Sequence, residues 1–142
     1  MMTKINFERL EKDLKAQEDF RQFPYKDSRG IETIGFGRNL RDVGISKSEA
    51  CILLQNDIDT AIQNIIKIIP NFNDLNDVRQ EVLVNMCFNM GIKTLKNFKN
   101  MITAIAKNDF ETASKEGLNS VWHDQVGERA EILMERLRSG TI

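Results

Sequence analysis

The sequence predicts an α+β protein, mainly α, in which a small β-hairpin lobe is joined by a long helix to a larger all-helical lobe. Three observations carry this. Two short segments, FPYKD and IETIGFG, flank the turn residues Ser28-Arg29-Gly30 and read as the arms of a hairpin. From Ser46 to Pro70 apolar residues recur at helical spacing without a break. Beyond Pro70 the strongly patterned segments all have the period of a helix.

Phe7, Leu10 and Leu14 fall at i, i+3 and i+7, one stripe of a first helix that runs to about Asp19. Pro24 blocks its continuation, because it lacks an amide hydrogen and restricts Phe23 to extended conformations. In the hairpin, Gly30 supplies turn freedom, while Gly35 and Gly37 allow a close approach of backbone or ligand. Ser46-Lys-Ser-Glu49 is a capping box, so the long helix begins at about Lys47. Ala50, Leu53, Leu54, Ile58, Ala61, Ile62, Ile65 and Ile69 extend it to Pro70, a length sufficient to connect two lobes.

Asn71 to Asn76 is a polar linker rich in N-cap residues. The helix from Asp77 to Met90 is apolar on more than one face and reads as the buried centre of the large lobe, with Gly91 as its cap. Phe98, Met101, Ile102 and Ile105 mark another helix, ending near Lys107-Asn108. Asp109 caps a short one holding Phe110 and Ala113. A last helix runs from about Gly127 to Arg138 and stops at Gly140. No internal repeat or low-complexity tract interrupts the chain, so residues 1–142 read as one domain. Its small lobe is placed at about 20–57 and its large lobe at about 1–19 plus 58–142.

Hydrophobic residues make up 41% and charged residues 29% of the 142, ordinary values for a globular domain with room for a core. A net charge of −1 gives no strong pull toward nucleic acid or an anionic membrane. Lys93, Lys96 and Lys99 form a local basic run, which reads as a solvated helix face. There is no apolar run long enough to span a membrane, and MMTKINFERLEKDLK carries charges where the core of a signal peptide would lie. The expectation is a protein made in the cytoplasm. Cys51 and Cys87 have neither CxxC nor metal-ligand spacing and read as reduced thiols. The single histidine, His123, argues against a histidine-clustered zinc site and against a serine-type triad.

The stretch with chemical character is EDFRQFPYKDSRGIETIGFGR, Glu18 to Arg38. It places Glu18 at the end of a helix, Asp27 at the mouth of a turn and Thr33 in a strand. Two carboxylates and a hydroxyl at a helix-to-hairpin junction can line one cleft, as glycosidic acid/base chemistry requires. Alone, the pair of acids is ordinary surface charge. The whole string, Glu-x8-Asp-x5-Thr-Ile-Gly-x-Gly with Tyr25 two residues before Asp27, resembles the phage-type lysozymes of glycoside hydrolase family 24, the T-even phage enzyme among them. The resemblance recurs in matching order at NMCFNMG (Asn85–Gly91), at Phe98 and at VWHDQVGERA (Val121–Ala130), and covers about Phe7 to Gly140.

That resemblance implies a lysozyme-like fold and a muramidase, cleaving the β-1,4 bond between N-acetylmuramic acid and N-acetylglucosamine in peptidoglycan. It implies Glu18 as general acid, Asp27 as the carboxylate that stays ionised, and Thr33 as the hydroxyl that holds the attacking water, with inversion at the anomeric carbon. Phe88, Asn89 and Asn85 match cleft-lining positions, and Arg129 matches an arginine that pairs with the acid glutamate. Trp122 reads as structural.

In two places the sequence departs from the family pattern. Arg38 stands where the family commonly has a histidine paired with an aspartate on the long helix; Asp57 matches the aspartate, so an Arg38–Asp57 pair is the expected substitute. Asp19 replaces a glycine after the acid glutamate, and the small lobe is shorter between Arg38 and Ser46. No metal or organic cofactor is implied. The implied partners are peptidoglycan glycan strands, with no nucleic acid, no stable membrane insertion and a monomeric state. An endolysin of this kind stays in the bacterial cytoplasm until a separate holin-type pore releases it to the wall. Two alternatives stand beside the muramidase: a lytic transglycosylase, and a catalytically silent glycan-binding helical module.

Overall fold

The computed structural model describes residues 3–142. By internal packing the chain divides into two units, residues 1–51 and 52–142. Together they form a mainly α, α+β architecture of eight α-helices and one three-stranded antiparallel sheet among the described residues.

In the first unit, helix α1 (Phe7–Gln17) starts where the Asn6 side chain accepts a hydrogen bond from the Arg9 amide. Strands β1 (Arg21–Lys26), β2 (Glu32–Gly35) and β3 (Arg38–Asn39) follow in the order β1-β2-β3. Tyr25 faces Thr33 and Lys26 faces Glu32, while the register slips between Arg21 and Tyr25. Pro24 lies in that irregular span, where a residue without an N–H does least harm to the ladder. The hairpin therefore forms as expected, with β3 as a short addition that the sequence reading did not contain.

The sequence reading assigned residues 1–19 to the large lobe and closed the small lobe near residue 57. In the structure α1 groups with the sheet, and the division falls after Cys51. None of the α1 side chains is buried, and Phe7, Leu10 and Leu14 are exposed. The first unit itself buries only Ile31 and Thr33, too small a core to absorb the stripe.

Helix α2 (Lys47–Ile68) begins in the first unit and continues into the second. Its start is the expected capping box: the Ser46 hydroxyl accepts from the Glu49 amide at 3.1 Å, and Glu49 accepts from the Ser46 amide at 2.8 Å. Within the second unit the chain turns at Pro70, passes a 3₁₀ turn (Phe72–Asp74) and enters α3 (Asp77–Met90), capped by Asn76. Then come α4 (Ile92–Lys96), α5 (Lys99–Ala106), α6 (Phe110–Leu118), α7 (Val121–Val126) and α8 (Glu128–Ser139). Ile65, Ile69, Leu83, Met86, Leu95, Met101, Ile105, Met134 and Leu137 are fully buried in one core. Each such side chain contributes about 1.5–3 kcal/mol relative to exposure. Helix α3 lies at the centre, burying Val82, Leu83, Met86 and Cys87, but Phe88 on its opposite face is exposed.

Two polar side chains pin the end of the chain to the start of α3. Arg79 donates from Nε to the Leu137 carbonyl and from Nη2 to that of Arg138, both at 2.8 Å, with its guanidinium 3.6 Å from the Phe110 ring centroid. Asn76 donates from Nδ2 to the Gly140 carbonyl at 3.0 Å. These contacts satisfy carbonyls that a helix C-terminus otherwise leaves to solvent. Arg79→Ala removes two charge-assisted hydrogen bonds and a cation–π contact, and is expected to destabilise the fold by about 2–4 kcal/mol. Urea titration checks it. A loss within experimental error would show that solvent satisfies these carbonyls equally well.

Candidate active site

Glu18 is the C-cap of α1. Its amide still donates to the Leu14 carbonyl at 2.8 Å, but its own backbone is extended, so the side chain leaves the helix at the point where the chain turns into β1. Its carboxyl group lies against the backbone of Gly37, close enough that a Cβ at position 37 would sit 3.2 Å from both Cδ and Oε2 of Glu18. Gly37 also has φ +77, so glycine is required on two counts, the left-handed backbone and the space. Among the described residues nothing donates a hydrogen bond to the Glu18 carboxyl.

Asp27 has the opposite environment. Its Oδ1 accepts from the amides of Arg29 and Ile31 at 2.8 and 2.9 Å, and its Oδ2 from the Arg29 guanidinium at 3.3 Å. These bonds favour the charged form and hold the carboxyl below the usual aspartate range, the Ile31 amide contributing most. The cause is local. Asp27 opens the turn, Gly30 closes it by donating to the Asp27 carbonyl at 2.9 Å, and the side chain folds back over the amides in between.

Thr33 is 4% exposed. It lies in β2, the middle strand, opposite Tyr25 on one side and Asn39 on the other. Its hydroxyl donates to the Ile31 carbonyl at 2.9 Å, which leaves the oxygen lone pairs available to accept. The buried Ile31 thus ties the two groups together: its N–H is on Asp27 and its C=O holds the Thr33 hydroxyl. Asp27 and Thr33 are fixed by one backbone residue. Neither Ile31 nor the Gly37–Glu18 contact was singled out in the sequence reading; the Gly35-Phe36-Gly37 spacing was the one signal that pointed to a close approach there.

Arg38 has a different partner from the expected Asp57. Its guanidinium grips Glu49 with both terminal nitrogens, Nη1 on Oε1 at 2.9 Å and Nη2 on Oε2, and Nη1 also donates to the Gly44 carbonyl at 3.0 Å. Glu49 simultaneously accepts from the Ser46 amide. The capping-box glutamate therefore joins β3, the loop after it and the first turn of α2 into one network. A planar fork suits a carboxylate presented edge-on in this way. Asp57 is exposed on α2.

Arg38 lowers the Glu49 pKa from 4.5 to about 2, first through its hydrogen bond and then with help from Ser46. A depressed carboxylate contributes stability that is complete above its unfolded pKa and is lost as pH falls through the folded value. The melting-temperature difference between wild type and Arg38→Gln is therefore expected to be flat between about pH 5 and 8 and to shrink as pH drops toward about 2. A difference that changes across neutrality would point to another titrating partner.

The remaining site residues lie in the second unit. Asn85 and Phe88 are one turn apart on α3, and Arg129 donates from Nη2 to Asn85 Oδ1 at 2.7 Å. These three line a groove of about 520 Å³ together with Leu54, Ile58 and Val84. Asn89 turns to a second groove of about 580 Å³, where its Oδ1 accepts from Trp122 Nε1 at 2.9 Å. Trp122 is buried and meets Phe98 edge-on at 6.4 Å, in keeping with its structural reading. The single histidine is engaged at both ring nitrogens, Nδ1 on the Leu118 carbonyl at 2.9 Å and Nε2 on Glu131 at 3.2 Å. Both partners are acceptors, so both nitrogens donate, and the ring's pKa is raised by Glu131 first and Leu118 second.

Residues 15–139 match the family model described as phage lysozyme. The chain is 30% identical to the pre-baseplate central spike protein Gp5 of Enterobacteria phage T4 across 82% of its own length, but spans only 25% of that protein. It is 24% identical to probable T4-type lysozyme 1 of Dictyostelium discoideum, with 91% of this chain and 93% of that protein covered. It is 25% identical to the peptidoglycan hydrolase gp36 of Pseudomonas phage phiKMV over 89% of its length, which is 15% of that protein. The matched span holds Glu18, Asp27, Thr33, Asn85, Phe88 and Arg129, and on that span the chain belongs to the phage lysozyme family of glycoside hydrolases.

Proposed function

We propose that the protein is a muramidase that hydrolyses the β-1,4 bond between N-acetylmuramic acid and N-acetylglucosamine in peptidoglycan. The observation that supports this most is the unequal treatment of two acids in one unit. Asp27 receives three donors and stays ionised, whereas the Glu18 carboxyl receives none from the described residues and rests against bare backbone. Pairs of carboxyl groups with contrasting environments are how one site holds an acid and an ionised partner at the same pH.

In this reading Glu18 protonates the leaving glycosidic oxygen. Asp27 orients the attacking water or stabilises the oxocarbenium-like transition state, and the Thr33 oxygen accepts a hydrogen bond from that water. Attack from the face opposite the leaving group gives inversion. Phe88 and Asn85 form an apolar and polar edge against which sugars rest, and Asn89 lines a neighbouring groove. The relatives named for lysozyme and for peptidoglycan hydrolysis support the substrate.

The enzyme acts as a phage or prophage endolysin on the wall. None of its helices is long and apolar enough to cross a membrane, so a separate holin-type pore releases it. The likeness to a spike protein supports a tail-borne use of the same chemistry as the second context.

Digestion of purified sacculi followed by mass analysis of the fragments tests the reaction. Fragments with free reducing ends on N-acetylmuramic acid are expected. Products bearing a 1,6-anhydro ring would make the protein a lytic transglycosylase, and binding without fragments would make it a glycan-binding module.

A further inference from the structure

The second unit carries a basic groove that the proposed chemistry does not use. Lys67 at the end of α2, Lys93 and Lys96 on α4, and Lys99 at the start of α5 line one depression of about 880 Å³. Among the described residues none of the four lysines is in an ion pair. Nor does the sequence supply neutralising neighbours: residues 90–108 contain four lysines and no acid, and residues 60–73 contain Lys67 and no acid. In a chain of net charge −1 this is a concentrated positive region, not part of a generally basic surface.

The lining narrows the occupant. The other members are Ile68, Asn97, Ile102 and Thr103, with no aromatic ring on which a base can stack and no arginine fork for phosphate or guanine. Ile68 and Ile102 are half-buried, so no large apolar side chain stands out of the groove to enter a bilayer. A concave row of mobile ammonium groups suits carboxylates displayed at variable angles on a flexible chain. Asn97 and Lys99 also line the groove that holds Asn89 and Trp122, so the two depressions are continuous.

We propose that the lysine groove binds the carboxylate-bearing peptide stems of peptidoglycan, anchoring the enzyme to the charged part of a polymer whose glycan strand is itself neutral. The assignment rests on the muramidase reading for its substrate, but its test measures binding and not turnover. Wild type and Lys93→Glu/Lys96→Glu are pelleted with insoluble sacculi, with thermal melts confirming that both are folded. The sacculi are used untreated, with carboxyl groups amidated, or stripped of phosphate polymers by hydrofluoric acid.

Reversing two charges is expected to weaken pelleting about tenfold at low salt, because two attractions become repulsions. Amidation is expected to weaken wild type to a similar degree and to leave the variant unaffected, and both differences close at high salt. Stripping phosphate is expected to change nothing. Equal pelleting of the two proteins, indifference of wild type to amidation, or loss on phosphate stripping would each overturn the proposal. Failure of the muramidase reading would appear separately, as wild type that pellets but releases no reducing ends.

Discussion

Glu18→Gln is expected to lower the rate of sacculus hydrolysis about 100- to 10,000-fold, the usual cost of removing a general acid. The substitution keeps the side chain's length and both heavy atoms at its tip, so contact with Gly37 is preserved. What disappears is the transferable proton. No hydrogen bond within the described residues depends on that carboxyl, so the melting temperature is expected to stay close to wild type. A slow but well-folded variant is the signature sought, read by reducing-end release beside a thermal melt. Activity within a few-fold of wild type would remove Glu18 from the acid role and bring Asp19, the adjacent carboxylate, forward as the donor.

Asp27→Asn gives the second large effect. Asparagine keeps an acceptor oxygen for the Arg29 and Ile31 amides, so the turn survives, but the negative charge is gone. A charge that orients water or meets a developing oxocarbenium is worth about 100- to 1,000-fold in rate. Asp27→Ala removes both the charge and the acceptor; it is expected to lose activity and also to melt earlier, because two buried-side amides of the turn lose their partner. The pair of variants separates chemistry from architecture. In wild type the acidic limb of the rate profile should lie below the ordinary aspartate pKa of 3.8 as far as Asp27 sets it, since its hydrogen bonds depress that value. An Asp27→Asn enzyme with unchanged rate and an unchanged acidic limb would show that the ionised carboxylate is elsewhere.

The parts of the fold that were legible in the sequence are those governed by neighbours along the chain. The capping box of Ser46 and Glu49 and the stop at Pro70 fix the long helix to within two residues. Asn76, Asp109, Gly91 and Gly140 mark helix ends where the structure has them. Helix α7 escaped notice, because six residues are too few to show a period and its cap, Ser120, resembles any polar loop residue. The same division holds for the candidate site. Asp27 and Thr33 meet through Ile31 within a single turn, so the motif spacing already contained their relation. The Arg38–Glu49 pair did not follow from pattern, since Glu49 was already fully explained as a capping residue. Asn85 and Arg129, 44 positions apart, meet only because α3 and α8 pack together, which no local rule contains.

Gly37 has a consequence for how the gene can change. The residue has no side chain and takes part in no reaction, yet every substitution there adds at least a Cβ facing the Glu18 carboxyl and strains a left-handed backbone. A glycine codon is one nucleotide away from alanine or valine and from several larger residues, and all of them close the same space. The neighbouring Phe36, exposed at the tip of the turn, is free of that constraint. Mutational tolerance should therefore drop abruptly between two adjacent codons, and a saturation library scored for wall clearing should show a barrier at 37 as sharp as at the acid itself.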